Sequence, residues 1–64
     1  MLPVIFGLSG PFLTVDEQSF FKEANPAGYI LFARNVENPE QLRALTDSLR
    51  DLAGRDDLPI LIDQ

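Results

Sequence analysis

The sequence predicts an α/β fold in which strands and helices alternate, β-α-β-α-β, with the strands paired in parallel. Three observations carry this. Three short apolar runs, at residues 3–8, 28–33 and 58–63, are each bounded by glycine, proline or polar residues. They are too short for helices and the right length for buried strands. Two longer segments between them carry helix-start signals and apolar residues at helical spacing. Finally, Tyr29, Ile30, Leu31 and Phe32 follow one another without polar alternation, the pattern of a strand buried on both faces of a parallel sheet.

The first strand, 3–8, is rich in Val, Ile and Phe, with Pro3 at its start, where a missing N–H is tolerated. Thr14 opens the first helix. Thr14 and Glu17 have the spacing of a capping box, and Asp16 and Glu17 suit the positive end of the helix dipole. Phe20, Phe21 and Ala24 supply the apolar face, with both phenylalanines expected in the core. The helix ends before Pro26, because a residue preceding proline is pushed out of the helical region. Arg34 and Asn35 mark the polar end of the second strand. The second helix has Asn38 as N-cap, Pro39 at the first helical position and Gln41 as capping-box partner. Its Leu42, Leu45, Leu49 and Leu52 form one stripe, and Gly54 is placed to cap its C-terminus. The third strand, 58–63, runs through Ile60, Leu61 and Ile62 straight into Asp63.

Composition narrows the function. Sixty-four residues allow one small domain; a chain this short buries only about 60% of its unfolded surface. There is no cysteine for a disulfide and no histidine for a zinc site. A net charge of -5 disfavours nucleic acid, which needs a basic patch, and an anionic membrane surface. No stretch approaches the roughly 20 apolar residues of a membrane span. Residues 1–8 lack the basic start of a signal peptide, so a cytoplasmic protein is expected.

Two right-handed crossovers that add strands in one direction put both helices on one face of the sheet. The other face is then bare. Yet the middle strand is apolar on both sides, with Ile30 and Phe32 on one and Tyr29 and Leu31 on the other. One-sided burial leaves a greasy patch and open sheet edges. The chain therefore reads as the first piece of a larger fold, with Met1 as a natural start and Gln64 as a truncation. Either the sheet curls into a barrel and fills its own lumen, or further helices cover the second face.

Ligands in parallel α/β folds bind at the carboxyl ends of strands. Asp63 stands there, on the same face of its strand as Leu61 and Pro59. It is a candidate for gripping sugar hydroxyls or a metal, or for acid catalysis; a helix cap or a solvated acid is the plain alternative. Arg34 and Asn35 share the rim and reach either a ligand or freed loop backbone, the second being favoured. Gly7, Gly10 and Pro11 match a phosphate-cradling loop only weakly, and a plain turn is the better reading. Asp56 and Asp57 lie at the opposite end, where acids are usually just solvated.

Two stretches, AGYILFARNVENPEQLRALTDSLR and LPILIDQ, resemble the N-terminal part of the family 3 glycoside hydrolases. The resemblance is to the bacterial β-N-acetylhexosaminidases of cell-wall recycling. It is carried by GYILFARN at 28–35, by Asn38 and Pro39 opening a helix, and by the strand ending Ile62, Asp63, Gln64. It spans nearly the whole chain but only about the first quarter of such an enzyme. Some relatives carry acids where this chain has Gly7 and Ser9, so nothing carries over there.

The resemblance implies that residues 1–64 are the first β-α-β-α-β portion of a TIM-type (β/α)8 barrel. It implies removal of terminal, non-reducing N-acetylglucosamine from peptidoglycan fragments with retention of configuration, hence a covalent glycosyl-enzyme intermediate. The partners implied are an N-acetylglucosamine-containing muropeptide and the remainder of the barrel itself. The family's nucleophile is an aspartate late in the chain, and its acid/base is a histidine-aspartate pair; none of these falls within this chain. Only the strand-end aspartate maps, onto Asp63, as a substrate-binding residue, and the resemblance implies no metal or organic cofactor. Two other readings compete. One makes Asp63 the magnesium-binding aspartate of a nucleotide-hydrolysing α/β domain, though no GxxxxGK motif precedes it. The other is a non-enzymatic α/β interaction module that docks a partner on the bare face.

Overall fold

The computed structural model describes residues 2–63. In order these form β1 (Leu2–Gly7), α1 (Val15–Ala24), β2 (Pro26–Leu31), a 3-10 turn (Ala33–Asn35), α2 (Pro39–Ala53) and β3 (Ile60–Ile62). The three strands make one sheet in the order β1-β2-β3, and both pairings are parallel. Phe6 lies opposite Tyr29, and Tyr29 opposite Ile60. The expected alternation is present.

Local chemistry sets the ends of the helices. Thr14 accepts from the Glu17 N–H and the Glu17 side chain answers to the Thr14 N–H, closing the capping box. Asn25 ends α1 in the left-handed region at φ 48, a conformation asparagine tolerates better than most. Asn38 caps α2 by accepting from the Gln41 N–H. At the far end Gly54, at φ 70, donates to Arg50 and Asp51 carbonyls, and a residue with a Cβ is strained at that φ.

One core holds the layer together: Leu8, Phe21, Tyr29, Leu31, Leu45, Leu49 and Leu58. Phe21 comes from α1, Leu45 and Leu49 from α2, and Tyr29 and Leu31 from β2. Both helices therefore lie on the sheet face that carries Tyr29 and Leu31. Phe21 meets Tyr29 edge-on, with centroids 5.1 Å apart, an arrangement that suits the ring quadrupoles. The opposite face has no helix among the described residues. It presents Ile5, 51% exposed, and Leu61, 49% exposed, with half-buried Ile30 between them. A polypeptide of these 64 residues, produced alone, is expected to self-associate through this face. Sedimentation velocity at micromolar concentration checks it; a monomer with a sharp, cooperative unfolding transition contradicts it.

Four expectations are corrected. β2 starts at Pro26 and ends at Leu31, two residues earlier at each end than predicted. Proline is acceptable as the first residue of a strand, and the chain turns sharply enough at Asn25 to enter the sheet at once. β3 pairs regularly over only three residues, although the Asp63 N–H still donates to the Leu31 carbonyl at 2.8 Å. Phe20 is not core. It is 57% exposed, because Phe21 takes the sheet-facing position and its neighbour is turned about 100° away. Phe20 rests its ring against Phe6, centroids 5.5 Å apart. Gln41, expected to reach back to the Asn38 N–H, accepts instead from Glu37.

Gly28 sits where β2 passes β3. A Cβ there would stand 2.7 Å from the Pro59 carbonyl oxygen, and that oxygen also accepts the Tyr29 N–H at 3.1 Å. Gly28→Ala is expected to push β3 away and to destabilise the fold by about 1–3 kcal/mol, read as a lower denaturant midpoint. No change would show that the strands are not so closely apposed.

Candidate active site

The carboxyl ends of all three strands meet at one edge of the sheet, and side-chain direction there follows from alternation. Phe6 and Leu8 pack toward the helices, so Gly7 between them faces the bare side. Leu31 is in the core, so Phe32 faces the bare side. Ile60 packs on the core, so Leu61 and Asp63 face the bare side. The helix-free face thus ends in a rim built from Gly7, Phe32 and Asp63, with Arg34 and Asn35 in the turn just beyond β2.

Asp63 is exposed. It borders a groove of about 440 Å³ with Phe32, Ala33, Val36, Leu42 and Ile62. Its backbone N–H is taken by Leu31, which fixes the main chain and leaves the carboxylate to act as an acceptor. Among the described residues no three His, Cys, Asp or Glu side chains converge as a metal would need. A second groove, of about 520 Å³, lies between the helices and is lined by Phe12, Leu13, Gln18, Ser48, Asp51 and Leu52. It is not at the strand ends.

Asn35 is fully buried and serves the loop. Its Oδ1 accepts from the Phe32 N–H at 2.8 Å, and its Nδ2 donates to the carbonyls of Leu8 at 3.2 Å and Gly10 at 2.8 Å. Gln41 extends the same lock. Its Nε2 donates to the Asn35 and Pro11 carbonyls at 2.8 and 2.6 Å. The β1-α1 loop is therefore pinned from below by two side-chain amides. The preference for a loop-shaping Asn35 holds, and Gln41 was missed as its partner. The only sequence signal for Gln41 was its capping position; of the two carbonyls it binds, Pro11 lies 30 residues back.

Arg34 behaves differently. Its Nε donates to the Leu8 carbonyl at 3.0 Å, and its guanidinium lies over the Phe32 ring, 4.8 Å from the centroid. It is exposed, at the rim.

The glycines of the β1-α1 loop do not form a phosphate cradle. Such a cradle offers free backbone N–H groups. Here the carbonyls of Leu8, Gly10 and Pro11 point into the lock just described. The Ser9 N–H and hydroxyl both donate to Glu17 Oε2, at 3.0 and 3.1 Å, so a carboxylate already holds the turn. Burial raises the Glu17 carboxyl, but the backbone N–H groups of Thr14 and Ser9 and both hydroxyls outweigh it and hold it below its ordinary 4.5. The sign follows: a depressed folded value gives stability that is complete above pH 4.5 and lost as pH falls through the folded value. Chemical denaturation of the protein beside its Glu17→Gln variant is expected to show a gap at pH 7 that closes below pH 4.5. A gap that does not change with pH contradicts this.

Comparison with known proteins matches this arrangement to one group. No family profile matches the chain. The chain is 44% identical over 62 residues to a β-hexosaminidase of Alkalilimnicola ehrlichii, which covers 97% of the chain and 18% of that protein. It is 41% identical over 59 residues to a β-hexosaminidase of Methylococcus capsulatus, covering 92% of the chain and 17% of that protein. The crystal structure of NagZ from Neisseria gonorrhoeae in complex with zinc ion superimposes with a TM-score of 0.84 at 34% identity. It covers 98% of this chain and 19% of that one. The chain spans under a fifth of the length of these relatives. Its β-α-β-α-β layer is the first portion of a TIM-type barrel, and the helix-free face is the one a barrel turns toward its lumen. By sequence and by fold the chain belongs to the β-hexosaminidases of glycoside hydrolase family 3 and corresponds to their N-terminal portion.

Proposed function

We propose that this chain is part of a retaining exo-β-N-acetylglucosaminidase. The enzyme removes terminal, non-reducing N-acetylglucosamine from peptidoglycan fragments in the cytoplasm, during cell-wall recycling. The observation that carries this is the placement of Asp63. It ends a strand on the lumen side of a barrel segment, in a chain 44% identical to a β-hexosaminidase. Residues 1–64 form the opening of the catalytic barrel domain, and the later strands complete it.

Within that reading this chain binds and the later barrel reacts. Asp63 accepts hydrogen bonds from hydroxyls of the terminal sugar and holds the ring over the lumen. The Asn35 and Gln41 lock keeps the neighbouring loop rigid, so the rim does not yield when the sugar enters. Retention passes through a glycosyl-enzyme intermediate, with a carboxylate nucleophile and an acid/base group supplied by the later barrel. This chain has no histidine and contributes no reacting group.

The test is hydrolysis of a chromogenic N-acetyl-β-glucosaminide by the complete enzyme, with the product anomer followed by NMR. Release of the β-anomer first is the expected result. Inversion, or no hydrolysis of N-acetylglucosaminides, would overturn the proposal. Fractionation of cells for the activity, and analysis of the muropeptides that accumulate without the enzyme, check compartment and substrate.

A further inference from the structure

Arg34 is the one cation at the strand ends among the described residues, and its geometry is that of a prepared anion site. Two contacts fix it. The Nε bond to the Leu8 carbonyl, at 3.0 Å, sets the plane of the guanidinium, and the Phe32 ring lies beneath it at 4.8 Å. The Nε is therefore spent on backbone, while the two Nη groups form a fork with no acidic partner among the described residues. Gly7 lies against it. A Cβ on Gly7 would lie 3.7 Å from both Arg34 Nη2 and Phe32 Cε2, so the fork stands over the bare end of β1 on the lumen side. A guanidinium held in one plane over an aromatic floor, with its two-pronged edge open, matches a planar oxyanion. Asp63 lies across β2 from it, so a ligand that spans the rim meets an acceptor at one end and a donor fork at the other.

We propose that Arg34 receives a carboxylate of the ligand, and so gives the site a preference for acidic over neutral N-acetylglucosaminides. This rests on the glycosidase reading and deepens it. Phe32 supplies the floor of the slot, and Gly7 lies at its edge.

The test uses the complete enzyme and non-hydrolysed thioglycosides of N-acetylglucosamine with carboxyalkyl aglycones of graded length, each beside its methyl ester. Calorimetry gives the ratio of ester to acid dissociation constants. For at least one length the acid is expected to bind about tenfold more tightly. Arg34→Gln is expected to bring that ratio to about one. Gly7→Asp places an internal carboxylate against the fork and should do the same while keeping Arg34, so it decides the matter if Arg34→Gln fails to fold. A ratio of one in the unaltered enzyme overturns the proposal. So does equal loss of acid and ester affinity in the variants, which marks Arg34 as structural, and so does absence of binding by either ligand. If the acid preference is present and abolished by both variants while the chromogenic substrate is not hydrolysed, the reaction assignment fails and the anion site stands.

Discussion

Asp63→Ala in the complete enzyme is expected to lower kcat/KM on a chromogenic N-acetylglucosaminide by about 10- to 150-fold. That is the equivalent of one hydrogen bond to a charged acceptor, about 1.5–3 kcal/mol. Most of the loss belongs in KM, because hydroxyls remote from the reacting carbon are held alike in ground and transition states. Stability should hardly move. The Asp63 side chain is exposed, and the bond that ties this residue to the sheet is made by its backbone N–H to Leu31. Asp63→Asn keeps the shape and one acceptor oxygen but loses the charge, and should fall between the two. Unchanged kcat/KM in Asp63→Ala would show that Asp63 is a solvated strand end.

The largest effect on stability is expected at Asn35. Asn35→Ala removes three hydrogen bonds at a fully buried position. The Leu8 carbonyl keeps Arg34 as a donor, but the Phe32 N–H and the Gly10 carbonyl lose their side-chain partner. At about 1–3 kcal/mol for each of the two buried groups left unpaired, the loss is about 2–6 kcal/mol, read from chemical denaturation of the complete enzyme. Asn35→Asp is the sharper control. It keeps an acceptor for the Phe32 N–H but turns an oxygen toward the Leu8 and Gly10 carbonyls, so it should be no better than alanine. A loss under about 1 kcal/mol in either variant would mean that the loop is held by other means.

The limits of legibility follow from how far apart the partners lie. Helix ends were legible because their chemistry is local: Thr14 with Glu17, Asn38 with Gln41, Gly54 behind α2. The leucine stripe was legible because periodicity is local too, and Leu45 and Leu49 are indeed core. Phe20 was misjudged because adjacent phenylalanines cannot both point at one sheet. Pro26 hid the start of β2, since proline reads as a breaker unless the left-handed turn at Asn25 is known. The roles of Asn35 and Gln41 depend on carbonyls 25 to 30 residues earlier in the chain, and no short-range pattern reports these. Asp63 could be placed because it ends an apolar run, and strand ends are where parallel folds bind ligands. The proposed role as a sugar acceptor was one of several candidates at that point, and only the resemblance singled it out.

In the proposed barrel Ile5, Ile30 and Leu61 line the lumen, and Asp63 meets the sugar at its rim. A crystal structure of the complete enzyme with N-acetylglucosamine bound tests it most directly. The expected result is strands β1, β2 and β3 adjacent in a closed barrel, those three side chains inside it, and an Asp63 carboxylate oxygen about 2.6–3.2 Å from a sugar hydroxyl. Helices packed over Ile5 and Leu61, or a sugar seated with Asp63 turned away to solvent, would contradict it.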